Sequence, residues 1–501
     1  MTKNKISCLK WASMRLFTIS ASTAFTQQKH KITLSLEQVI ETARDQSPNA
    51  LVAKHNFLAN YWSYRSYKAQ FLPSLKLTAN LGQYDRSLRA LQNSETGEIN
   101  YIANNNLRNS LSLSVNQNIP LTGGKISLST NLNRLDQFSP FESKTYSSIP
   151  ISLNYDQPLK AFNTLKWDKI IEPKSFEKAK RVYLESLEDI NIQAVNLFFS
   201  VLSAQMNREM ARKKYASTEL SLRIAEERFS IGGPISKNEL LQLRLGLYNA
   251  KLEIGDSETN YDMSVLRLRT FLGFNDNVEI VLTAPGEVPE VQLEFNDVYN
   301  RALENSSTTI SNELTLLNAQ QSVAQAKASN GLQASLFAQF GLTQKGSELS
   351  SAYKNPMDQE IIGLSLSLPI LDWGLGKGKV KLAQSREEVV RTQLEQQVTQ
   401  YREDMLIKVL EFNKMNTKCN TSSQADSIAR LRYEIASEKF KNGTLSVLEL
   451  NSAQTDMDNS ASRYISEVGK FWQNYYTIRK LSLYVYLTKK QVSADFDKLT
   501  N

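Results

Sequence analysis

Two carboxylates, Glu239 and Glu449, stand at matched places in two near-copies of one stretch. Ala225-Glu-Glu-Arg-Phe229-Ser-Ile-Gly232-Gly-Pro-Ile-Ser236-Lys-Asn-Glu239-Leu240 is echoed by Ala436-Ser-Glu-Lys-Phe440-Lys-Asn-Gly443-Thr-Leu-Ser446-Val-Leu-Glu449-Leu450, with Phe440 standing 211 residues after Phe229. Each acid falls one turn into a helix that starts at a serine, where negative charge suits the helix dipole. Gly374-Leu-Gly-Lys-Gly-Lys379 invites a phosphate-loop reading, but its glycine spacing is wrong and no Ser or Thr follows to hold magnesium. It reads instead as a joint between sheet and helix. Only His30, His55, Cys8 and Cys419 could supply imidazole or thiolate. They form no metal-ligand spacing and no nucleophile elbow, so the chain reads as no enzyme, with no cofactor and no metal.

The elements that carry these acids are unusually long. Residues 174–231 hold no Gly or Pro, a stretch of 58 residues. At ~1.5 Å per residue such a helix would reach about 87 Å. Leu187, Ile190, Ala194, Leu197, Val201 and Ala204 mark a coiled-coil stripe along it. Residues 379–442 are also free of Gly and Pro, and Val390, Leu394, Val398, Tyr401, Met405, Val409 and Phe412 repeat with an 11-residue period. Further helices are expected over 49–71, 236–272, 295–328 and 446–487. Gly232 and Gly443 end the long helices, where a left-handed residue is needed.

Between the helices lie segments of strict alternation. Leu75, Leu77, Ala79 and Leu81 interleave with Lys76, Thr78 and Asn80. Similar runs occur at 111–116, 126–133, 151–155, 334–340 and 364–368, and they predict six strands with one oily and one wet face. No window offers the ~18 apolar residues of a membrane helix. Lipid-facing strands need only about 10 residues and hide within a mean hydropathy of −0.38. Lys3, Lys5, Lys10 and Arg15 ahead of Leu16–Ala21 predict a signal peptide over residues 1–24. Four of the +8 formal charges belong to it, leaving about +4, too few and too scattered for nucleic-acid binding. Its removal also leaves Cys419 alone, so no intramolecular disulfide can form.

Pro369-Ile-Leu-Asp-Trp-Gly374 between a strand and a long helix, the paired turns Phe229-x-x-Gly232 and Phe440-x-x-Gly443, and the twice-repeated order of helix, strands, long helix, turn and helix resemble the TolC family of outer-membrane efflux channels. The resemblance spans residues 32–488. It implies a mixed α and transmembrane β fold: a trimeric β-barrel continuous with a long α-helical periplasmic barrel, two structural repeats per chain. The expected units are a first half-channel (32–272), an equatorial linker (273–292), a second half-channel (293–488) and a tail (489–501). Homotrimers in the outer membrane, extending into the periplasm, would serve tripartite efflux or type I secretion. They would meet a periplasmic adaptor (membrane fusion) protein, an inner-membrane pump of RND or ABC type, and outer-membrane lipid.

The same resemblance assigns sites. Phe229, Gly232, Gly233, Pro234, Phe440, Gly443, Thr444 and Leu445 would form the adaptor-docking tips. Glu239 and Glu449 would line the closed aperture as a ring of carboxylates, selecting cations and raising one another's pKa by repulsion. Ser452 stands where the family places a second acid, and Leu445 where it places an arginine, so the polar latch would be incomplete. Trp373 and Phe162 fit either a membrane interface or ordinary packing. A poreless periplasmic coiled-coil tether is the competing reading.

The two halves differ in length. Val39 to Val298 is a step of 259 residues while the tips step by 211, so the first half carries 48 more. The surplus reads as an extra hairpin over about 107–135, turning at Pro120–Gly124. It either joins the barrel, giving 18 strands per trimer instead of 12, or lies outside it.

Overall fold

The computed structural model describes residues 30–500, apart from 93–96, 98, 140, 233–234, 276–277 and 287. The expected signal peptide, Gly233 and Pro234 lie outside the described residues. Short strand β1 (His30–Leu34) leads into α1 (Leu36–Gln46) and α2 (Pro48–Ala69), which share Ser47 as a boundary with Pro48 at the first helical position. Four strands follow: β2 (Ser74–Gln92), β3 (Ile99–Ile119), β4 (Gly124–Ser139) and β5 (Ser143–Lys160). Helix α3 (Thr164–Ser230) then runs 67 residues, about 100 Å at ~1.5 Å per residue. Helix α4 (Lys237–Leu272) returns beside it and ends on left-handed Gly273.

The second half repeats the plan after β6 (Val278–Leu282). Helices α5 (Phe295–Asn305) and α6 (Ser307–Ser329) precede β7 (Gln333–Gly346) and β8 (Met357–Ser367). Helices α7 (Leu375–Asn413) and α8 (Met415–Lys441) descend, and α9 (Val447–Ser482) returns. A two-residue ribbon, β9 (Tyr484–Val485) with β10 (Lys490–Gln491), and α10 (Phe496–Thr500) close the chain. Phe496 packs 5.2 Å from the Phe57 ring, so the tail folds back onto α2.

All six expected strands exist and form one sheet in the order β2-β3-β4-β5-β7-β8, antiparallel throughout. The surplus hairpin is β3–β4, and it sits within the sheet between β2 and β5. Register explains the patterning. Leu77 pairs with Leu113, Val115 with Leu128, Leu128 with Leu153, Leu153 with Phe340, and Leu336 with Leu364. One face is therefore an apolar band that leaves large side chains exposed among the described residues. The other carries Thr78, Ser112, Ser114, Ser129, Asn131, Ser152 and Asn154. A soluble sheet would bury its oily face; this one exposes it.

Three helix expectations are corrected. Helix α3 begins ten residues earlier, with Pro173 inside it. Asn163 caps that start by accepting from the Lys166 amide at 3.0 Å, and the packing of Ile171 outweighs one missing hydrogen bond. The stretch 295–328 breaks at Ser306. The long stretch 379–442 breaks at Lys414, because the linker is sewn onto it there. Asn413 accepts from the Leu293 amide and donates to the Leu293 carbonyl, both at 2.9 Å, and Asn416 donates to the Val291 carbonyl. The linker is not plain connection either, since β6 pairs in parallel with β1.

The larger core lies at the waist, where Val39, Phe198, Leu268, Ile280, Phe412, Phe471 and Tyr475 meet from both halves. There Gly469 of α9 faces Phe199 of α3, and a Cβ at 469 would stand 3.0–3.3 Å from that side chain. Gly469→Val is expected to cost about 1–3 kcal/mol by overpacking. Thermal unfolding in detergent reads it, and an unchanged midpoint refutes the close approach.

Candidate functional site

The two turns that carry Glu239 and Glu449 come together at one end of the molecule. Leu222, Ala225, Leu240 and Leu243 of the first hairpin share a core with Ala436, Phe440, Val447, Leu450 and Ala453 of the second. Gly232 (φ 73°) and Gly443 (φ 82°) make the left-handed exits that L side chains avoid. Gly443 donates to the Phe440 carbonyl and Thr444 to the Lys439 carbonyl, both at 3.0 Å, which closes the last turn of α8.

Each glutamate has a local task. The Glu239 carboxylate accepts from the Ser236 amide and hydroxyl, both at 2.8 Å, while the Ser236 hydroxyl accepts from the Glu239 amide at 3.2 Å. Glu449 and Ser446 make the same reciprocal cap at 3.2, 3.0 and 3.3 Å. The donors, first the serine backbone amide and then its hydroxyl, hold both carboxyls below the usual range. Within one chain the cap is what stabilises the ionised form. A folded-state pKa that is lowered stabilises above the unfolded value and is lost as pH falls through the folded one. Both caps are therefore closed at neutral pH.

The tips are unequal. Phe229 is 46% exposed, whereas Phe440 is 2% exposed and fills the core between the hairpins. This corrects the expectation that both rings face a partner: Phe440 supports the surface from beneath. Leu445 is half-buried against the same core, and Gly232, Gly443, Thr444, Glu449 and Ser452 are exposed.

Sequence reading missed Arg228. Its Nη1 donates to the Phe440 carbonyl at 3.2 Å and its Nη2 to the Lys441 carbonyl at 2.6 Å. These carbonyls end α8, where a cation suits the helix dipole; the Phe440 carbonyl also accepts from the Gly443 amide. The cation that precedes each phenylalanine was legible, but its partners 212 residues away were not. Ser217 and Tyr433 bond at 2.8 Å across the same seam. Within the hairpins, Arg244 pairs with Glu226 at 2.8 Å, and Arg432 pairs with Asp456. At the sheet end, Asp372 accepts from the amides of Gly374 at 3.0 Å and Gly376 at 2.7 Å. The glycine-rich loop there is thus a helix start held by an aspartate.

Among the described residues no helix is long and apolar enough to cross a membrane. The exposed apolar sheet face, joined to helical hairpins about 100 Å long, defines a membrane-sheet protein with an elongated helical extension. Its fold matches solved outer-membrane channels. The Campylobacter jejuni CmeC outer membrane channel aligns with a TM-score of 0.65 at 17% identity, covering 92% of this chain and 88% of that one. The outer-membrane channel OprN aligns at 0.63 with 14% identity, covering 89% of each. VceC of Vibrio cholerae aligns at 0.61 with 14% identity, covering 89% of this chain and 95% of that one. A comparison with curated proteins found no match. The sequence profile of the outer membrane efflux proteins matches residues 39–274 and 298–482, and the chain belongs to that family. It is an outer-membrane efflux duct, not an enzyme, and it extends from the outer membrane into the periplasm.

Proposed function

We propose that three copies of this chain close into one 18-stranded barrel above a helical tunnel, and that the paired tips gate the tunnel and dock onto a periplasmic adaptor served by an inner-membrane pump. The observation that carries this reading is the six-stranded sheet. Its two outer strands, β2 and β8, leave open edges that lipid cannot solvate. The even number of strands makes β2 and β8 run in opposite directions, so joining copies edge to edge keeps every pair antiparallel. Diameter grows about linearly with strand number, so this barrel would be about one and a half times as wide as a 12-stranded one.

Glu239 and Glu449 would crowd around the tunnel mouth at the tips, Ser452 beside them, with Phe229 and the Gly232 and Gly443 turns presented to the adaptor. The direct test is purification from outer membranes in detergent, with native mass and single-channel conductance in a planar bilayer. A conducting trimer is expected; a monomer without conductance refutes the duct geometry. In the same bilayer, Glu449→Ala should reduce cation preference and block by divalent ions about fivefold if six carboxylates share the aperture. Unchanged selectivity would leave Glu449 only its capping role.

A further inference from the structure

The base of the sheet carries a second feature that the duct does not use. Two joints lead from sheet to long helix, β5 into α3 and β8 into α7. At the spacing of 211 residues they match position by position: Leu159 with Ile370, Phe162 with Trp373, Lys166 with Lys377. Leu159 follows Ile151, Leu153 and Tyr155 at an irregularity of the β5 ladder between Pro158 and Lys160, and Ile370 follows Ile362, Leu364 and Leu366 beyond the end of β8. Both apolar positions stand where the sheet meets the long helices, and Leu159 is 58% exposed. Ile370 is 92% and Trp373 91% exposed.

Trp373 is also held in the left-handed region at φ 54°. That conformation costs a bulky L-residue about 1–2 kcal/mol, and the Asp372 carboxylate pins the turn through Gly374 and Gly376. A strained backbone that presents an indole outward points to something outside the chain.

Cations follow at once. Lys160, Lys166, Lys169, Lys377, Lys379 and Lys381 are exposed, and among the described residues none has a carboxylate within 4 Å. Of the acids nearby, Asp372 is held in its turn and feels the charge of Lys379, Asp168 and Glu172 are half-buried beside Tyr67, and Asp156 is exposed on β5 opposite Lys125. On the end of α2, Arg65 lies over Trp62 and Lys68 over Tyr64, at 5.5 and 4.7 Å from the ring centres. The opposite rim has no such bias. There Arg134 pairs with Asp136 at 2.9 Å, and Glu142, Lys144, Glu348 and Lys354 alternate in sign.

We propose that these joints form a collar that seats Ile370 and Trp373 in the periplasmic leaflet and binds its anionic phospholipid headgroups through Lys166, Lys377 and their neighbours. The collar rests on the trimeric-duct reading, which sets three such pairs of joints around the barrel. Aromatic rings settle at headgroup depth, and each juxtamembrane cation adds to attraction for anionic lipid. A second copy of the chain is a poorer occupant, because the same collar would repel itself.

The test uses the full chain, purified in dodecyl maltoside and delipidated, with phosphatidylglycerol or phosphatidylcholine added back. Native mass spectrometry counts retained lipid and thermal unfolding reads protection. Wild type is expected to retain phosphatidylglycerol about tenfold better than phosphatidylcholine, less so at high salt. Lys166→Gln with Lys377→Gln should erase that preference, while Lys251→Gln with Lys418→Gln, exposed on the helical hairpins, should keep it. Equal retention of the two lipids by wild type, or full preference in the Lys166 and Lys377 variant, overturns the collar. Protection by inorganic phosphate alone would overturn it in favour of a small-anion site. Conductance is read on the same preparations: it should persist in every variant, and its absence in wild type would overturn the duct reading and the collar with it.

Discussion

Arg479→Ala is expected to cost about 3–5 kcal/mol, because it strands a carboxylate at the waist. Glu188 of α3 is 0% exposed, and its Oε1 accepts from Arg479 Nη2 of α9 at 2.9 Å. Its Oε2 accepts from Asn191 Nδ2 at 3.0 Å, so both oxygens are satisfied only while Arg479 is present. The guanidinium also lies 5.2 Å from the Tyr476 ring centre, which adds cation–π contact in a desolvated setting. Removing the arginine leaves a charge with nowhere to go, and that penalty, more than the lost attraction, sets the magnitude. The same logic gives the control. Glu188→Leu combined with Arg479→Met removes both charges and should recover most of the loss. Denaturant unfolding in detergent measures both. A loss below about 1 kcal/mol for Arg479→Ala would show that water reaches Glu188.

Sequence reading succeeded where the pattern is local. Strand alternation at Leu75–Leu81 or Ile126–Leu128 reports a face directly, and Leu75, Leu77, Leu81, Ile126 and Leu128 proved to lie in the exposed band. The tips were legible because Gly232 and Gly443 need a backbone that few other residues adopt. What escaped was set by distant backbone. The break at Lys414 follows from Asn413 reaching Leu293, 120 residues away, and nothing in the helical period of that stretch marks it. Strand β6 was hidden in a linker because its partner, β1, lies at the other end of the first half. The coiled-coil stripe of α3 is buried at Leu187, Ile190, Ala194, Val201 and Ala204, but the stripe of α7 is buried only from Met405 onward, where the waist begins. A period states which face is apolar; it does not state what covers it. The inequality of Phe229 and Phe440 has the same origin, since two identical letters in matched turns meet different neighbours once one helix must lie inside the other's seam.

Arg228→Ala is expected to loosen the closed tip without unfolding it. The guanidinium donates from α3 to the Phe440 and Lys441 carbonyls at the end of α8, so it ties the first hairpin to the second. Charge-assisted bonds of this kind are worth ~1.5–3 kcal/mol when buried. Here Lys441 is exposed and the arginine half-buried, so solvent screening reduces the net to about 1–2 kcal/mol. A tie of that size shifts an open–closed equilibrium by about five- to thirtyfold. The core of Leu222, Leu243, Phe440 and Leu450 remains, so helicity should be unchanged by circular dichroism. Arg228→Lys keeps the charge but loses the fork that reaches two carbonyls, and should fall between wild type and alanine. Gly443→Ala attacks the same tie from the other side. Its φ of 82° disfavours a side chain, and the new Cβ would stand 3.2 Å from Arg228 Nη1. Under the duct reading, all three variants should raise single-channel open time in the order alanine at 228, alanine at 443, lysine at 228. If open time instead matches wild type in Arg228→Ala, the two hairpins are held by their apolar core alone, and the arginine serves only to cap α8.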